Sequence, residues 1–228
     1  MLYGYGDLIF QGAWMTIKLA LFSALLAMAL GLIGATAKLF GSRVSSSFAT
    51  LYSTIIRGIP DLVLMMLIFY GLQIVVNQIT ESFGWSQLNI DPFIAGTLTI
   101  GFIYGAYLTE TFRGAFLAVS KGQIEASTAY GMTSWQTFIY VLFPQMMRHA
   151  LPGMENNWLV ILKSTALVSI IGLADLVKAT QMAGKGTYQF FMFTIVAAII
   201  YLVFTTLSNL IFVWLGKRYE FERGAARC

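Results

Sequence analysis

Five side chains that can carry charge or present an aromatic face stand inside long apolar runs: Asp61, Tyr104, Tyr107, Glu110 and Lys163. Such runs are typical of membrane spans, where ionisable groups are costly and usually pair with one another or face a water-filled path. A carboxylate beside tyrosine rings could balance a cationic solute by charge and by cation–π contacts. We therefore take these five residues as candidates for the lining of a path through a membrane.

Neighbouring charges at helical spacing offer another role for the acidic residues. Arg57 and Asp61 are four residues apart, and Glu110 and Arg113 are three apart, which places each pair on one face of a helix. We expect Arg57 and Asp61 to pair near the inner end of a span and to brace a bend at Pro60. Glu110 either lines the path beside the tyrosines or serves only Arg113, and the spacing leaves both roles open.

Lys163 interrupts an otherwise apolar run together with Ser164 and Thr165. Its ammonium group could meet the carboxylate of a solute, or it could pair with an acidic residue of another helix. We favour the pairing, because ionisable groups at membrane depth usually find a partner.

The composition places these runs in a membrane. The chain of 228 residues is 58% hydrophobic and 11% charged, whereas a soluble domain is about 25% charged. A spanning helix needs about 20 mostly apolar residues, and five segments meet that requirement. We therefore predict an all-α, polytopic membrane protein with one transmembrane domain over residues 1–228. The predicted spans are Leu19–Ala37 (starting near Ile9), Leu62–Thr80, Pro92–Val119, Glu155–Ala174 and Phe190–Leu215.

Basic residues outside the spans orient the predicted helices. With the N-terminus outside and the C-terminus inside, the outer loops carry only Lys178 and Lys185, and the positive-inside rule favours that arrangement. A long connection between Val119 and about Leu151 then lies in the cytoplasm. The basic residues that this topology places on the inner side are Lys38, Arg43, Lys121, Arg148, Lys217, Arg218, Arg223 and Arg227.

Small residues recur every four positions in two of the spans, at Ala27, Gly31 and Ala35 and again at Gly101 and Gly105. Small residues at this spacing let helix backbones approach closely in lipid. They could form a seam between two chains, but we expect them to serve helix packing within the chain.

The polar segment KGQIEASTAYG, residues 121–131, differs sharply from its apolar surroundings. Its composition predicts a short helix, and Gly131 would allow the sharp turn that ends it. An amphipathic helix is predicted over Ser134–Phe143, and Pro144 is expected to break or redirect the chain. This elbow is either a docking element for another protein or a plain interfacial hairpin, and spacing alone does not separate the two.

Several classes of activity lack their motifs in this sequence. It contains no Gly-x-x-x-x-Gly-Lys-Ser/Thr loop, no His-Glu-x-x-His and no Gly-x-Ser-x-Gly, which argues against a P-loop ATPase and an intramembrane enzyme. His149 and Cys228 are solitary, so we expect no metal site. The net charge of +4 does not indicate nucleic-acid binding, because the location of the charges matters more than their sum.

The elbow and three further segments resemble the permease subunits of ABC importers. EASTAYGMTSWQTFIYVLFPQ matches the EAA loop of that family at Glu125, Ala126, Gly131 and Pro144, with Ser127 in place of the second alanine. IRGIPDLVLMMLIFYGL, YLTETFRGAF and NNWLVILKSTALVSIIGL are similar to the polar amino acid permeases. The segment 57–64 is particularly like the Q-type subunit of importers for histidine, lysine, arginine and ornithine. The likeness covers about residues 11–219.

The resemblance implies a type I importer fold, with a cytoplasmic coupling loop at about 120–150 and a coupling helix at 125–131. It also implies a second homologous permease subunit, two ATP-binding cassette ATPase subunits that bind the ATP, and an extracytoplasmic substrate-binding protein. This chain would then hold no cofactor and would import a basic or polar L-amino acid across a bacterial inner membrane. The alternative is a stand-alone transporter or channel driven by an ion gradient, against which stand the elbow and the lack of a repeated half.

Overall fold

The described residues are mostly helical. Lipid offers backbone N–H and C=O groups no hydrogen-bond partners, so a membrane-spanning segment must pair these groups internally, as a helix does. The computed structural model describes residues 3–220 and contains no strand in that range. Its elements are α1 (Gly6–Phe40), α2 (Arg43–Gly58), α3 (Asp61–Ser82), α4 (Pro92–Leu117), α5 (Lys121–Ala129), α6 (Ser134–Gln136), a π-helical turn (Thr137–Leu142), α7 (Phe143–Ser164), a 3₁₀ turn (Thr165–Ile171), α8 (Leu176–Thr187) and α9 (Phe190–Glu220).

Up to five spans can be drawn through the described residues, in agreement with the predicted number. The helices α1, α3, α4 and α9 are each long and apolar enough to cross a bilayer, and the helical run Ser134–Ile171 with α8 makes a fifth element bent by 54°. This helical element is longer than the predicted fourth span, Glu155–Ala174, because the prediction took only its apolar part. Gly172 ends the run in a left-handed conformation, with φ +102, which glycine adopts without a steric penalty.

Pro144 does not break the chain, contrary to the prediction. It lies in the first turn of α7, inside the helical run Ser134–Ile171. The π-helical turn Thr137–Leu142 directly precedes it, and local π adjustments allow a membrane helix to accommodate a proline. The amphipathic part of the elbow and the fourth span are therefore one continuous helical lever.

Glycines bring α1 and α4 together in the most extensive helix pair of the described fold. A Cβ built on Gly31 would lie 2.6 Å from the Cβ of Leu108, and a Cβ on Gly101 would lie 2.6 Å from Leu26. Carbon atoms do not approach this closely, so only glycine allows this helix separation. The expectation that these small residues pack within the chain is confirmed.

We predict that Gly31→Ala destabilises the protein by about 1–3 kcal/mol, the usual cost of overpacking. The added methyl group would meet the Cβ of Leu108 and also its backbone carbon, 3.1 Å away. Gly114→Ala is the matched control, because a Cβ there meets nothing within 4 Å and alanine favours the helix by up to about 1 kcal/mol. Thermal unfolding of the purified complex measures both, and equal shifts would contradict the packing argument.

The orientation with the N-terminus outside stays a prediction. Among the basic residues that support it, Arg223 and Arg227 lie outside the described residues, as does Cys228.

Candidate functional site

A polar cluster forms where α3, α4 and α7 converge. Tyr104 donates its hydroxyl to Asp61 Oδ2 at 2.6 Å, and the same hydroxyl lies 2.6 Å from the Oγ of Ser164. Asp61 is the first residue of α3, Ser164 is the last of α7, and Tyr104 lies halfway along α4. The cluster thus joins the first residue of α3, the end of a span at which we expected Asp61, to the middle of α4, a helix about 39 Å long.

Aromatic rings extend this cluster towards Arg57. Tyr104 and Tyr107 stack with ring centroids 5.5 Å apart and planes inclined by 28°. The guanidinium of Arg57 lies over the Tyr107 ring, 5.6 Å from its centroid, within the range of a cation–π contact. The sequence candidates Asp61, Tyr104 and Tyr107 therefore belong to one continuous site.

The predicted ion pair between Arg57 and Asp61 is wrong: neither side chain forms a salt bridge within the described residues. The two residues belong to different helices, because α2 ends at Gly58 and α3 begins at Asp61. Ile59 and Pro60 between them have extended backbone conformations, which removes the i,i+4 geometry on which the prediction rested. The bend at Pro60 is present, but this pair does not brace it.

Glu110 lies in a separate ion cluster that joins three helices. Its Oε2 accepts a hydrogen bond from Arg113 Nε at 2.8 Å, as the spacing predicted, while its Oε1 is bonded to Lys38 and to Ser53. The Lys38 side chain is only 8% exposed and lies in the last turn of α1 rather than in the loop that follows it. Its partner, Glu110, is 72 positions away, a separation at which helical spacing gives no signal.

The two acidic residues consequently differ in charge balance. Glu110 is neutralised by two cations, whereas Asp61 receives a neutral hydroxyl and forms no ion pair in the described part of the chain. Lys163 is exposed and likewise pairs with no described acidic residue, so the pairing expected for it is wrong within that part. Its neighbour Ser164, rather than Lys163, contacts the polar cluster.

A cleft of about 470 Å³ opens beside the Glu110 ion cluster. Lys38, Arg57 and Arg113 contribute three positive charges to its walls, and Glu110 contributes one negative charge. Ser46, Thr50, Ser53 and Thr54 add hydroxyl groups. Because Arg57 borders both this cleft and the ring of Tyr107, the polar cluster and the cleft adjoin each other.

We predict that Lys38→Met lowers the free energy of unfolding by about 2 kcal/mol, because it leaves the partly buried Glu110 with Arg113 as its remaining cation. The double variant Lys38→Met/Glu110→Gln should be less destabilised than Lys38→Met alone, since it also removes the carboxylate that has lost its closest cation. Thermal unfolding of the two single variants and of the double variant measures this coupling. Simple additivity would show that the ion pair contributes nothing to stability.

The elbow forms as a short helix with a defined C-terminal cap. After α5, the N–H of Gly131 bonds to Thr128 O at 3.0 Å, and the N–H of Met132 bonds to Ser127 O at 3.1 Å, the pattern of a Schellman motif. Gly131 has φ +76, the left-handed conformation that glycine adopts readily. Thr133 then caps the next helix through a capping box with Gln136.

The elbow helix is fixed to the lever by hydrogen bonds that the sequence did not reveal. The Oγ of Ser127 lies 3.0 Å from the Oγ1 of Thr137 in the π-helical turn, and it is buried. Gln145 of α7 also bonds to Gln123 of α5, at 3.3 Å. Ser127 is therefore more than a small substitute for alanine, because an alanine could not form the first of these bonds.

The elbow also presents an exposed surface. Glu125, Ala126 and Pro144 are exposed, and two large aromatic side chains beside them, Tyr130 and Trp135, are 87% and 70% exposed. Exposed aromatic surface of this kind is typical of a protein–protein contact.

The chain is similar in sequence and in fold to known transport proteins. The family model described as "Binding-protein-dependent transport system inner membrane component" matches residues 12–221. The histidine/lysine/arginine/ornithine transport system permease protein HisQ of Escherichia coli (strain K12) is 60% identical over 220 residues, 96% of each chain. The arginine ABC transporter permease protein ArtQ of Haemophilus influenzae is 37% identical over 219 residues, also 96% of each chain. The crystal structure of an amino acid ABC transporter with histidines is similar, with a TM-score of 0.80 and 33% identity, covering 94% of this chain and 95% of that chain.

Proposed function

Because this chain belongs to the family of binding-protein-dependent transport system inner membrane components and is a multi-pass permease subunit of an ABC amino acid importer, we propose that its substrate is a basic L-amino acid. Histidine, arginine, lysine and ornithine are the candidates, since the relatives named for these substrates resemble it over nearly the whole chain. We further propose that residues 1–228 form one permease domain, which supplies half of the pore.

The observation that carries the substrate proposal is the carboxylate of Asp61, which forms no ion pair among the described residues and lies beside the stacked Tyr104 and Tyr107. A cationic side chain would be balanced by Asp61 and by the faces of the rings. Arg57, over the outer ring of the stack, would attract the α-carboxylate of the same molecule. Glu110 would border the path only through the adjoining cleft, and Lys163, exposed next to Ser164, would face the water-filled side.

The elbow would couple ATP hydrolysis to the movement of the spanning helices. Two ATP-binding cassette subunits would bind and hydrolyse ATP, so that this chain needs no cofactor and catalyses no reaction itself. Glu125 and Ala126 would contact the ATPase, and Gly131 would set the angle of α5. Since the run Ser134–Ile171 passes through Pro144 without a break, a displacement of α5 would be transmitted along the fourth span as a rigid-body movement.

The exposed helices support further partners in the membrane. Only 11% of the spanning windows of α3 and of α9 is buried inside the chain, so lipid or other protein must cover these two helices. We propose that a second, homologous permease subunit covers part of this surface and completes the pore. An extracytoplasmic substrate-binding protein would deliver the amino acid to it.

Reconstitution into liposomes tests this function. The complex with its ATPase subunits and binding protein should take up radiolabelled arginine, lysine or histidine only when ATP is supplied. The matched control is the same complex with an ion gradient in place of ATP, which should give no uptake. Uptake driven by the gradient in this chain alone would establish the stand-alone transporter instead.

A further inference from the structure

An apolar crevice separates α1 from α9. These two helices pack on common neighbours, α7 and α8, but form no extended contact with each other. A cavity of about 270 Å³ lies between the central part of α1 and α9, with Leu108 of α4 and Met154, Trp158 and Ile161 of α7 as its floor. A second cavity of about 320 Å³ lies between α1 and α9 nearer the start of both helices. The gap thus follows the two helices along much of their length.

The lining of the central cavity offers almost no free hydrogen-bonding group. Trp158 Nε1 donates to Ser208 Oγ at 2.9 Å, and Asn157 Nδ2 donates to Gly153 O at 2.7 Å. The remaining walls are aliphatic or aromatic, among them Leu25, Met28 and Phe212. An occupant that matches these walls is apolar.

An acyl chain is the occupant that the surroundings of this crevice offer. The walls are apolar, and the bilayer surrounds the spanning helices with hydrocarbon chains. A helix of another protein is the competing occupant, and crosslinking distinguishes the two.

Positive charge marks one end of this crevice. The bond between Trp158 and Ser208 sets these residues at one level. The helices α7 and α9 are antiparallel, because Trp158 pairs with Ser208 while the later residue Thr165 pairs with the earlier residue Tyr201. Arg148 therefore lies about 15 Å from the Trp158 level along α7, and Lys217 lies about 14 Å from it along α9 in the same direction. Both cations consequently lie at the cytoplasmic end predicted by the charge distribution, where anionic lipid headgroups are attracted to Lys and Arg.

We propose that the crevice between α1 and α9 binds one acyl chain of an anionic phospholipid of the inner leaflet, with its headgroup next to Lys217. The lipid would fill the contact that α1 and α9 do not make with each other. It would thereby hold α9 against the bundle while the lever containing α7, which forms the floor of the crevice, moves.

Photo-crosslinking in the assembled importer tests this proposal. The complex is placed in nanodiscs that contain phosphatidylglycerol or phosphatidylcholine with a diazirine in the acyl chain, and adducts are mapped by mass spectrometry. We expect adducts on Met154 and Trp158 with phosphatidylglycerol in preference to phosphatidylcholine. Adducts on Leu202, an exposed residue of α9, report ordinary boundary lipid and should show no such preference.

Substitutions at Ala24 and Lys217 test the crevice and the headgroup site independently. Ala24→Phe fills the cavity from α1 and should remove the adducts on Met154 and Trp158 while those on Leu202 persist; Ile199→Phe, on the exposed side of α9, is its size-matched control. Lys217→Gln should reduce the preference for phosphatidylglycerol about fivefold, whereas Lys217→Arg should preserve it. Equal labelling by both lipids, or labelling that Ala24→Phe does not change, would overturn the proposal. So would crosslinks from Trp158 to the second permease subunit in place of lipid adducts.

Discussion

Replacing Asp61 with asparagine is expected to lower the uptake of arginine or lysine about 100-fold in kcat/KM, while the importer still assembles. Loss of a desolvated countercharge costs roughly 3 kcal/mol, and Asp61 has no cation of its own among the described residues to share that loss. The asparagine oxygen can still accept the hydroxyl of Tyr104, so the helix contact persists. The measurement is ATP-driven uptake in liposomes with each amino acid as substrate.

Two controls separate charge from structure in that experiment. Tyr104→Phe removes the hydrogen bond but retains the carboxylate, and it should reduce uptake much less than Asp61→Asn. Glu110→Gln alters a carboxylate that already has two cationic partners, so it should affect all substrates alike and mainly through stability. If Asp61→Asn impaired the uptake of cationic and neutral amino acids equally, a countercharge role for Asp61 would be excluded.

The second large effect concerns the turn of the elbow. Gly131→Val places a β-branched residue at φ +76, a conformation that costs about 1–3 kcal/mol for a residue with a side chain. Space is not limiting, because a Cβ at this position would meet nothing within 4 Å. We expect the strain to displace α5 and to reduce the amount of amino acid taken up per ATP hydrolysed about tenfold.

Gly131→Asn is the matched control for this variant. Asparagine tolerates the left-handed conformation and occurs at this capping position, so coupling should be close to that of the parent protein. Uptake and ATP hydrolysis are measured together on the same liposomes, and membrane insertion is verified by the yield of assembled complex. Normal coupling in Gly131→Val would show that the cap does not set the position of α5.

Composition and local pattern were sufficient for much of this fold. The five spans follow from hydropathy, because a bilayer requires long apolar helices whatever their packing. Gly131 was recognised as a turn residue because its backbone requirement is local. The pair Glu110–Arg113 was also predictable, since its partners are three residues apart on one uninterrupted helix.

The predictions that failed depended on whether a helix continues between or before the residues concerned. The pair Arg57–Asp61 has equally good spacing, but the helix breaks between its members at Pro60. Pro144 was expected to break a helix, but the helix continues through it, directly after a π-helical turn. In both cases the local pattern was correct, and the backbone between or before the residues decided the outcome.

By itself, the sequence determined which residues are costly in a membrane, which segments are apolar enough to cross it, and which segment is too polar to do so. Each of these depends on the transfer of side chains from water or on the conformation of a few adjacent residues. The tertiary structure alone decided which charge is compensated. Lys38 and Glu110 meet because α1 and α4 pack closely through their glycines, and Asp61 is left with a tyrosine hydroxyl. Partnerships between side chains on different helices depend on how those helices pack, and no spacing along one helix encodes them.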